Sequence, residues 1–424
     1  MDAVLNVFLH NLPVGKLWLD EKRRFVFQYD QRWLESPEQM PLSLSLPLRS
    51  KPYEDDSSRP FFSNLLPEAG LRQAVARKLG VSEQNDFALL WELGGECAGA
   101  VTLLPEGQEP ESGNEYVPLT EEQLHEIIKS LPTRPLLAGE EGIRLSLAGA
   151  QNKLPVFIKD GIIHLPKSGS PSSHIIKPPI RDLDGIVENE AFCMMLARKM
   201  GLPVPDVRIL TGEDTLYLIQ RYDRLDADGG LIRVHQEDFC QALGVSPDLK
   251  YESEGGPSLK ICFTLLKERS TAPAVDIKIL LSWVVFNLLI GNADAHAKNL
   301  ALLFTKEGLR LAPFYDLLCT AIYEELTDKL AMKIGGENRP DLLRPSIMDR
   351  FAKEIGVRPK MVISAFQTMA EEIVPASEVL AEKIQAEYGE RPVVQKVVDV
   401  IKKRSRSVLL TLNASAGTTG LDEA

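Results

Sequence analysis

The sequence predicts an α+β protein in which a small β-rich part comes first and a long helical part comes last. Short apolar and aromatic runs at 4 to 10 and 25 to 30 are typical of strands. From His235 onward, apolar residues recur at helical spacing up to about Leu412. Within that helical part we expect only a short strand at 300 to 304 and a second candidate at 310 to 312.

The composition indicates an ordinary globular protein of two or three domains. The chain has 424 residues, 44% of them hydrophobic and 25% charged. Its longest apolar run, 279 to 290, is shorter than the roughly 20 residues of a membrane helix. We therefore expect a buried helix and no membrane association. The net charge of −12 disfavours direct contact with a nucleic-acid backbone.

The cysteines and the N-terminus predict a cytoplasmic location. The five cysteines contain no CxxC pair, which argues against a disulfide framework or a zinc cluster. The chain also opens without the charged, apolar and small-residue regions of a secretion signal. A reducing compartment follows from both observations.

In the N-terminal part, strands precede helices. After the first strand we expect a turn over 11 to 15. The stretch 41 to 48, PLSLSLPL, alternates Leu with Ser and therefore predicts a half-buried strand. Helices are expected at 67 to 81 and 86 to 93, the second ending at a Gly pair.

Composition also predicts the domain boundaries. Residues 105 to 115 are rich in Pro, Gly, Glu and Ser and have no apolar periodicity, as in linkers. The last twelve residues are small and polar, as in a frayed end. The predicted segments are a β-rich domain (1–105), a linker (106–116), a β-rich lobe with the phosphate loop (117–230), a helical lobe (231–412) and a flexible tail (413–424).

The second β-rich part begins with a helix signal. Thr120 followed three residues later by Gln123 predicts a capped helix start. Strands are expected at 154 to 158, 174 to 177 and 215 to 223, and a helix at 184 to 200.

The stretch after the apolar helix carries the strongest chemical signal. Asp294 is followed five residues later by Asn299, and Asp316 ends the tripeptide Phe-Tyr-Asp. This is the spacing of a kinase catalytic loop and its metal-binding Asp. Phosphoryl transfer needs a carboxylate at the acceptor hydroxyl and hard oxygen ligands for Mg²⁺. We expect Asp294 as the catalytic residue, Asn299 and Asp316 as metal ligands, and Lys298 near the transferred phosphate; a polar turn with an Asx cap is the alternative.

An upstream pair fits the same scheme. Lys177 ends an apolar strand, and Glu190 lies on the apolar stripe of the following helix. Because a carboxylate facing the core needs a cation, we expect a structural ion pair that leaves the Lys177 ammonium near nucleotide phosphates. The alternative is that both side chains are solvated.

A small-residue segment lies one strand before Lys177. Residues 144 to 153 match neither a Walker A motif nor G-x-G-x-x-G. Ala148, Gly149 and Ala150 would nevertheless let backbone N–H groups approach anionic oxygens. The segment is either a phosphate-covering loop or a simple turn.

Taken together, ten segments resemble the HipA family of bacterial serine/threonine kinase toxins. In order, from about residue 41 to 316, they are SLSLPL, PFFSNLLPE, LSLAGAQNK, HIIK, NE at 189 to 190, QRYDR, QEDFCQALG, KYESEGGP, GNADAHAKN and PFYD. The resemblance implies a kinase-like two-lobed fold with a small N-terminal β-rich domain and an all-helical C-terminal lobe. It also implies transfer of the ATP γ-phosphate, with Mg²⁺, to a serine of an aminoacyl-tRNA synthetase, glutamyl-tRNA synthetase in the best-known case. The family's usual partner is HipB, a helix-turn-helix antitoxin that binds operator DNA, so any DNA contact would be indirect.

The resemblance also assigns residues. The ATP-binding set it implies is Ala148, Gly149, Ala150, Gln151, Asn152, Lys153, Lys177, Gln220, Arg221, Tyr222, His296, Lys298 and Tyr315. Of these, 220 to 222 would hold adenine through their backbone. Ser146 corresponds to the serine that such kinases phosphorylate on themselves, which would switch the enzyme off; the alternative is a hydroxyl satisfied by nearby backbone.

Two other functions stay open at this stage. The chain could be a small-molecule kinase of the same fold, or a nucleotide-binding corepressor that acts with a DNA-binding antitoxin. The basic run at 402 to 406 is a candidate DNA contact, although a solvated helix surface explains it as well.

Overall fold

The computed structural model of the protein describes residues 3–111, 115–139, 143–227 and 230–416. The chain divides into two compact units. The first unit comprises Met1–Pro178, Gly212–Asp248 and Ala301–Lys306, and the second comprises Pro179–Thr211, Leu249–Leu300 and Glu307–Ala424.

Strands and helices alternate along the described residues, with most strands in the first half of the chain and the longest helices at its end. The strands are β1 (Val4–Leu9), β2 (Leu12–Leu19), β3 (Phe25–Tyr29), β4 (Val101–Pro105), β5 (Glu115–Pro118), β6 (Leu154–Lys159), β7 (Ile162–Lys167), β8 (His174–Lys177), β9 (Val207–Thr211), β10 (Thr215–Gln220), β11 (Arg224–Ala227), β12 (Gly230–Arg233), β13 (Gln236–Asp238), β14 (Ala301–Thr305) and β15 (Gly308–Leu311). The helices are α1 (Gln31–Leu34), α2 (Asp55–Ser63), α3 (Ala69–Leu79), α4 (Asp86–Leu93), α5 (Glu121–Ser130), α6 (Ile186–Lys199), α7 (Phe239–Leu243), α8 (Leu259–Arg269), α9 (Pro273–Ile290), α10 (Pro345–Ile355), α11 (Pro359–Tyr388) and α12 (Pro392–Ala416). This arrangement confirms the predicted α+β class.

The first unit begins with an antiparallel sheet in the order β3-β2-β1-β4. The predicted turn over 11 to 15 is wrong in extent, because β2 already starts at Leu12. The reversal is made by His10 and Asn11, both at positive φ. Gly15 lies within β2, where an added Cβ would clash with the Gln28 carbonyl oxygen, so this glycine permits close strand packing.

The alternating stretch 41 to 48 does not form the predicted strand. Ser43 and Leu46 make one isolated bridge across a tight turn. Ser43 is buried, and its hydroxyl donates to the Glu237 carboxyl group at 2.5 Å. The serine at position 43 is therefore explained by a buried polar partner, Glu237, and not by a strand face that is exposed to solvent.

The strands of the second sheet that belong to the first unit have the order β5-β7-β6-β8-β10. The predicted strands are confirmed as β6, β8 and β10, although β10 ends at Gln220 and not at residue 223, and β7 was not predicted. β5 starts inside the predicted linker and pairs with β7, and linker residues 112–114 lie outside the described part of the chain. The domain boundaries proposed from composition stay predictions.

Helical capping in the first unit follows the sequence. The Thr120 side chain accepts from the Gln123 backbone N–H, and the Gln123 side chain accepts from the Thr120 N–H, which forms the predicted capping box. α3 and α4 also occupy the predicted ranges, and α3 ends at Gly80 in the left-handed conformation.

The second unit is mainly helical, with β9 and β15 as short strands. Among the described residues, α9 is the one helix whose length and composition would allow it to span a membrane. However, 67% of this helix is buried, and buried core helices have a similar length and composition. Its predicted burial is confirmed. α12 continues through residue 416 into the predicted tail, and 417–424 lie outside the described residues. All five cysteines are buried free thiols.

Candidate active site

The stretch with the kinase-like spacing follows directly from the end of α9, in the second unit. The helix ends at Gly291, which has φ +79. A Cβ at this position would lie 2.9 Å from Val400 and 3.0 Å from Ala321 side-chain atoms. Glycine is therefore required both for the left-handed conformation and for the close packing.

The backbone that leads to Asp294 is held by side chains from two neighbouring segments. The Asn292 amide donates to Asn287 Oδ1 of α9 at 2.7 Å. The Ala293 N–H donates to the Thr320 hydroxyl oxygen at 2.8 Å, and that hydroxyl donates to the Gly291 carbonyl at 3.1 Å. These supporting residues were not predicted, although a buried Asn near the end of an apolar helix is a recognisable signal.

The structure brings the predicted metal ligands together. Asn299 Nδ2 lies 3.5 Å from Asp316 Oδ2 and 3.5 Å from the Asp294 carbonyl oxygen. Asp316 has φ +60, an uncommon conformation for a residue other than glycine. A carboxylate and a side-chain amide offer the oxygen donors that Mg²⁺ prefers, so this donor set fits the ion. This pair is one amide and one carboxylate. A larger metal-binding group, of three or more His, Cys, Asp or Glu, does not occur among the described residues.

Three further predicted residues lie in this loop or next to it. His296 and Lys298 are buried, and Tyr315 is partly exposed. The Tyr315 hydroxyl donates to the Lys298 carbonyl oxygen at 2.6 Å. The Phe-Tyr-Asp segment is thus tied to the catalytic loop through its tyrosine.

Tyr251 also reaches this loop, and its role was not predicted. Its hydroxyl donates to Asp294 Oδ1 at 2.7 Å. Its ring meets the His296 ring edge to face, with centroids 5.2 Å apart. The residue belongs to the KYESEGGP segment, so the motif itself was visible in the sequence but its contact was not.

The predicted orientation of Glu190 is confirmed. This residue of α6 is 2% exposed. Its neighbour Asn189 joins α6 to the segment after Asp316, accepting from the Cys319 N–H at 2.8 Å and donating to the Cys319 carbonyl at 2.9 Å. The ion pair of Glu190 with Lys177 stays a prediction.

The small-residue loop of the first unit is packed onto N-terminal segments. Ser146 is 0% exposed, and its hydroxyl donates to the Leu65 carbonyl at 2.8 Å. The Gly149 carbonyl accepts from the Glu68 N–H at 3.1 Å, and Gly149 has φ +106. The Lys153 ammonium donates to the Ala148 carbonyl within the loop.

The remaining nucleotide-binding candidates lie on or beside β8 and β10. Gln151 donates to the Pro178 carbonyl at 3.0 Å. Lys177 lies opposite Tyr217 in the sheet, with its ammonium 5.5 Å from the centre of that ring. Gln220 ends β10, and the Tyr222 hydroxyl binds the Gln236 side chain.

The side chain of Arg221 points into a buried charge cluster, which we call the Glu96 cluster. It contains Glu96, Arg221, Asp223 and Arg224, with ion-pair distances of 2.8 to 3.2 Å. Burial alone would raise the pKa of Glu96, but the Arg221 and Arg224 cations outweigh it and lower this pKa. The same balance lowers the pKa of Asp223. The Arg221 side chain is therefore engaged within this cluster. The contact of the backbone of residues 220 to 222 with adenine stays a prediction.

The basic run of α12 is partly used within the second unit. Lys402 pairs with Glu378 at 2.8 Å, and Arg404 donates to the Leu288 carbonyl at 3.1 Å. These contacts favour the interpretation of the run as a helix surface.

The α+β fold places Asp294, Asn299 and Asp316 at one loop. This arrangement is that of a protein with a kinase-like fold. Two family models match the chain: the HipA N-terminal domain over residues 5–104 and the HipA-like C-terminal domain over residues 145–377. The chain belongs to the HipA family.

Similar proteins support this assignment over nearly the whole chain. A Sinorhizobium fredii protein with the provisional name kinase Y4mE is 44% identical, covering 96% of this chain and 99% of the relative. The serine/threonine-protein kinase toxin HipA of Shewanella oneidensis is 31% identical, with 88% of each chain covered. A solved structure of the Shewanella oneidensis complex of HipA, HipB and operator DNA has a TM-score of 0.81 and 29% identity, with 97% of each chain covered.

Proposed function

We propose that this chain is an ATP- and Mg²⁺-dependent serine/threonine protein kinase that acts as the toxin of a toxin-antitoxin module. The observation that carries the proposal is the meeting of Asp294, Asn299 and Asp316 around one braced loop, with Asn299 3.5 Å from Asp316. The 31% identical relative named as a serine/threonine kinase toxin supports it.

Each loop residue has a definite task in this proposal. Asp294 accepts a hydrogen bond from the acceptor hydroxyl and orients it. It takes the proton as the hydroxyl oxygen bonds to the γ-phosphorus and the bond from that phosphorus to ADP breaks. Asn299 and Asp316 would hold Mg²⁺, which supplies positive charge at the phosphate oxygens when bound. Lys177 and residues 148 to 153 would bind ATP phosphates, and the backbone of 220 to 222 would bind adenine.

The test is the substitution Asp294→Asn. An amide keeps the shape of the side chain but cannot take the proton, so phosphate transfer should be lost while folding and ATP binding persist. Transfer is measured with γ-labelled Mg·ATP, ATP binding by calorimetry, and growth arrest by induced expression. Asp399→Asn, an exposed substitution on α12, is the matched control and should behave as wild type.

Undiminished growth arrest by Asp294→Asn at equal protein level would refute the kinase basis of toxicity. It would favour the alternative of a nucleotide-binding corepressor. Transfer to small molecules with no labelled protein would instead favour a small-molecule kinase of the same fold.

We further propose a HipB-like helix-turn-helix antitoxin as partner, with DNA contacted through that partner, and a cytoplasmic location. The support is the 29% identical solved complex that contains HipB and operator DNA. The proposed substrate is an aminoacyl-tRNA synthetase, glutamyl-tRNA synthetase by family resemblance. Labelling of that purified enzyme by wild type but not by Asp294→Asn is the expected result; a purified synthetase that stays unlabelled while other proteins are labelled would exclude it.

Self-inactivation at Ser146 is part of the proposal. Because the Ser146 hydroxyl is buried and donates to the Leu65 carbonyl, the segment must leave this place before the hydroxyl can attack the γ-phosphate. Its oxygen then bonds to phosphorus, the bond to ADP breaks, and the proton passes to the catalytic carboxylate. The product carries nearly two negative charges and cannot donate to the Leu65 carbonyl as the hydroxyl did.

The phosphorylated loop should therefore stay out of its present position and no longer cover ATP. Mass spectrometry after incubation with Mg·ATP should find phosphate on Ser146, and calorimetry on the modified fraction should find weakened ATP binding. An unmodified Ser146 in an active enzyme, or unchanged ATP affinity after modification, would refute self-inactivation.

A further inference from the structure

We infer that Tyr251 is a positioning residue that sets the orientation of the Asp294 carboxylate. This inference rests on the proposed function, because it concerns the same carboxylate that would receive the acceptor's proton. The phenol is an O–H donor at neutral pH, and its 2.7 Å bond goes to Asp294 Oδ1.

The bond matters because the carboxylate torsion of an Asp is intrinsically soft. Rotation about the Cβ–Cγ bond is broad and roughly two-fold, so a bare carboxylate samples many directions. A donor at Oδ1 selects one of them and thereby fixes where Oδ2 points. Transfer geometry tolerates little misplacement of a reacting group, so this choice should affect the chemical step.

Backbone hydrogen bonds within its turn fix the position of Tyr251. The Tyr251 carbonyl accepts from the Glu254 N–H at 3.0 Å and from the Gly256 N–H at 2.9 Å. Gly255 has φ +93, and a Cβ at Gly256 would clash with the Leu249 carbonyl oxygen. Both glycines of KYESEGGP are thus required by the turn itself.

The same turn is hydrogen-bonded to the catalytic loop through one intervening segment. The Glu252 N–H donates to the Ala331 carbonyl at 3.3 Å, and the Ala331 N–H donates to the Ala293 carbonyl at 3.0 Å. The Glu252 carboxylate accepts from the Lys333 N–H at 2.6 Å. Tyr251 and Asp294 therefore lie on backbones that are connected to each other, and the phenol acts as a fixed brace.

The edge contact with His296 supports the ring independently of the hydroxyl. Tyr251→Phe should keep this contact and the turn, and lose the bond to Oδ1. The expected result is a fall of about 10- to 100-fold in kcat, the scale of one hydrogen bond to a charged group. The KM for ATP and the melting temperature should stay at wild-type values.

The experiment measures phosphate transfer from γ-labelled Mg·ATP to purified glutamyl-tRNA synthetase and to the full-length chain itself. Tyr116→Phe is the matched control, since its hydroxyl also makes one bond, to the Pro171 carbonyl at 3.1 Å. It should leave kcat unchanged. In an Asp294→Asn background, Tyr251→Phe should cause no further loss of the residual rate, because both changes act through one group.

Four results would overturn the inference. An active wild type with an unaffected kcat in Tyr251→Phe refutes the positioning role and leaves the proposed function standing. A loss that matches a loss of folded protein, or a rise in KM for ATP at constant kcat, assigns Tyr251 to folding or to nucleotide binding. A wild type without any transfer refutes the proposed function and this inference with it.

Discussion

Replacing Glu96 by Gln should strongly destabilise the protein, because it removes one charge from a balanced buried cluster. The Glu96 cluster holds two carboxylates and two guanidinium groups. Glu96 Oε1 accepts from the Ser172 N–H at 2.9 Å, from Arg221 at 3.1 Å and from Arg224 at 3.2 Å. An amide oxygen can accept the same bonds, so the substitution isolates the effect of charge.

The expected loss in free energy of unfolding is about 3–5 kcal/mol, the range for leaving one buried charge uncompensated. Glu96 is 2% exposed, and the Arg221 and Arg224 side chains are 3% and 1% exposed. Water therefore cannot replace the lost carboxylate. Nor can an arginine escape the penalty by losing its proton, as a buried lysine would.

Urea unfolding followed by circular dichroism measures this loss at pH 7. The matched control is Glu106→Gln, which also breaks an ion pair, with Lys16 at 2.8 Å, but at a site where the two side chains are 57% and 52% exposed. That change should lower the free energy of unfolding by about 0–1 kcal/mol.

The pH dependence provides a second check. Because the folded-state pKa of Glu96 lies below its ordinary value of 4.5, the cluster stabilises the fold fully above that pH. The difference between wild type and Glu96→Gln should shrink as the pH falls below 4.5. A loss equal to that of Glu106→Gln, or a difference that grows in acid, would refute the reasoning.

Three further substitutions test other parts of the structure. Burial raises the pKa of Glu237 to about 8, so the free energy of unfolding should fall as the pH rises from 4.5 through 8 and Glu237 ionises. Glu237→Gln should abolish this fall in urea unfolding, and an unchanged fall in the variant would contradict the assignment. Asp316→Ala should weaken Mg²⁺-dependent ATP binding in calorimetry while Mg²⁺-free binding persists, and unchanged Mg²⁺ dependence would exclude it as a ligand. Asn292→Ala should lower kcat by about tenfold with the melting temperature nearly kept, because it frees the backbone before Asp294. A wild-type kcat would show that the hydrogen bonds of Asn292 are dispensable.

The sequence by itself predicted the features that depend on short spacing along the chain. The α+β class, most helices, and the capping box of Thr120 and Gln123 follow from periodicity and local hydrogen bonding. The same holds for Asp294 and Asn299, which belong to one loop. The burial of Glu190 was also predictable, since it lies on an apolar helical stripe.

Only the tertiary structure decided which distant residues meet. Tyr251 and Asp294 are 43 positions apart, and Glu96 and Arg221 are 125 apart. Ser43 was misassigned because its partner, Glu237, lies in another part of the chain. Periodicity reports which side of an element is buried, but the partner of a buried polar group depends on how elements pack, and no local pattern encodes that.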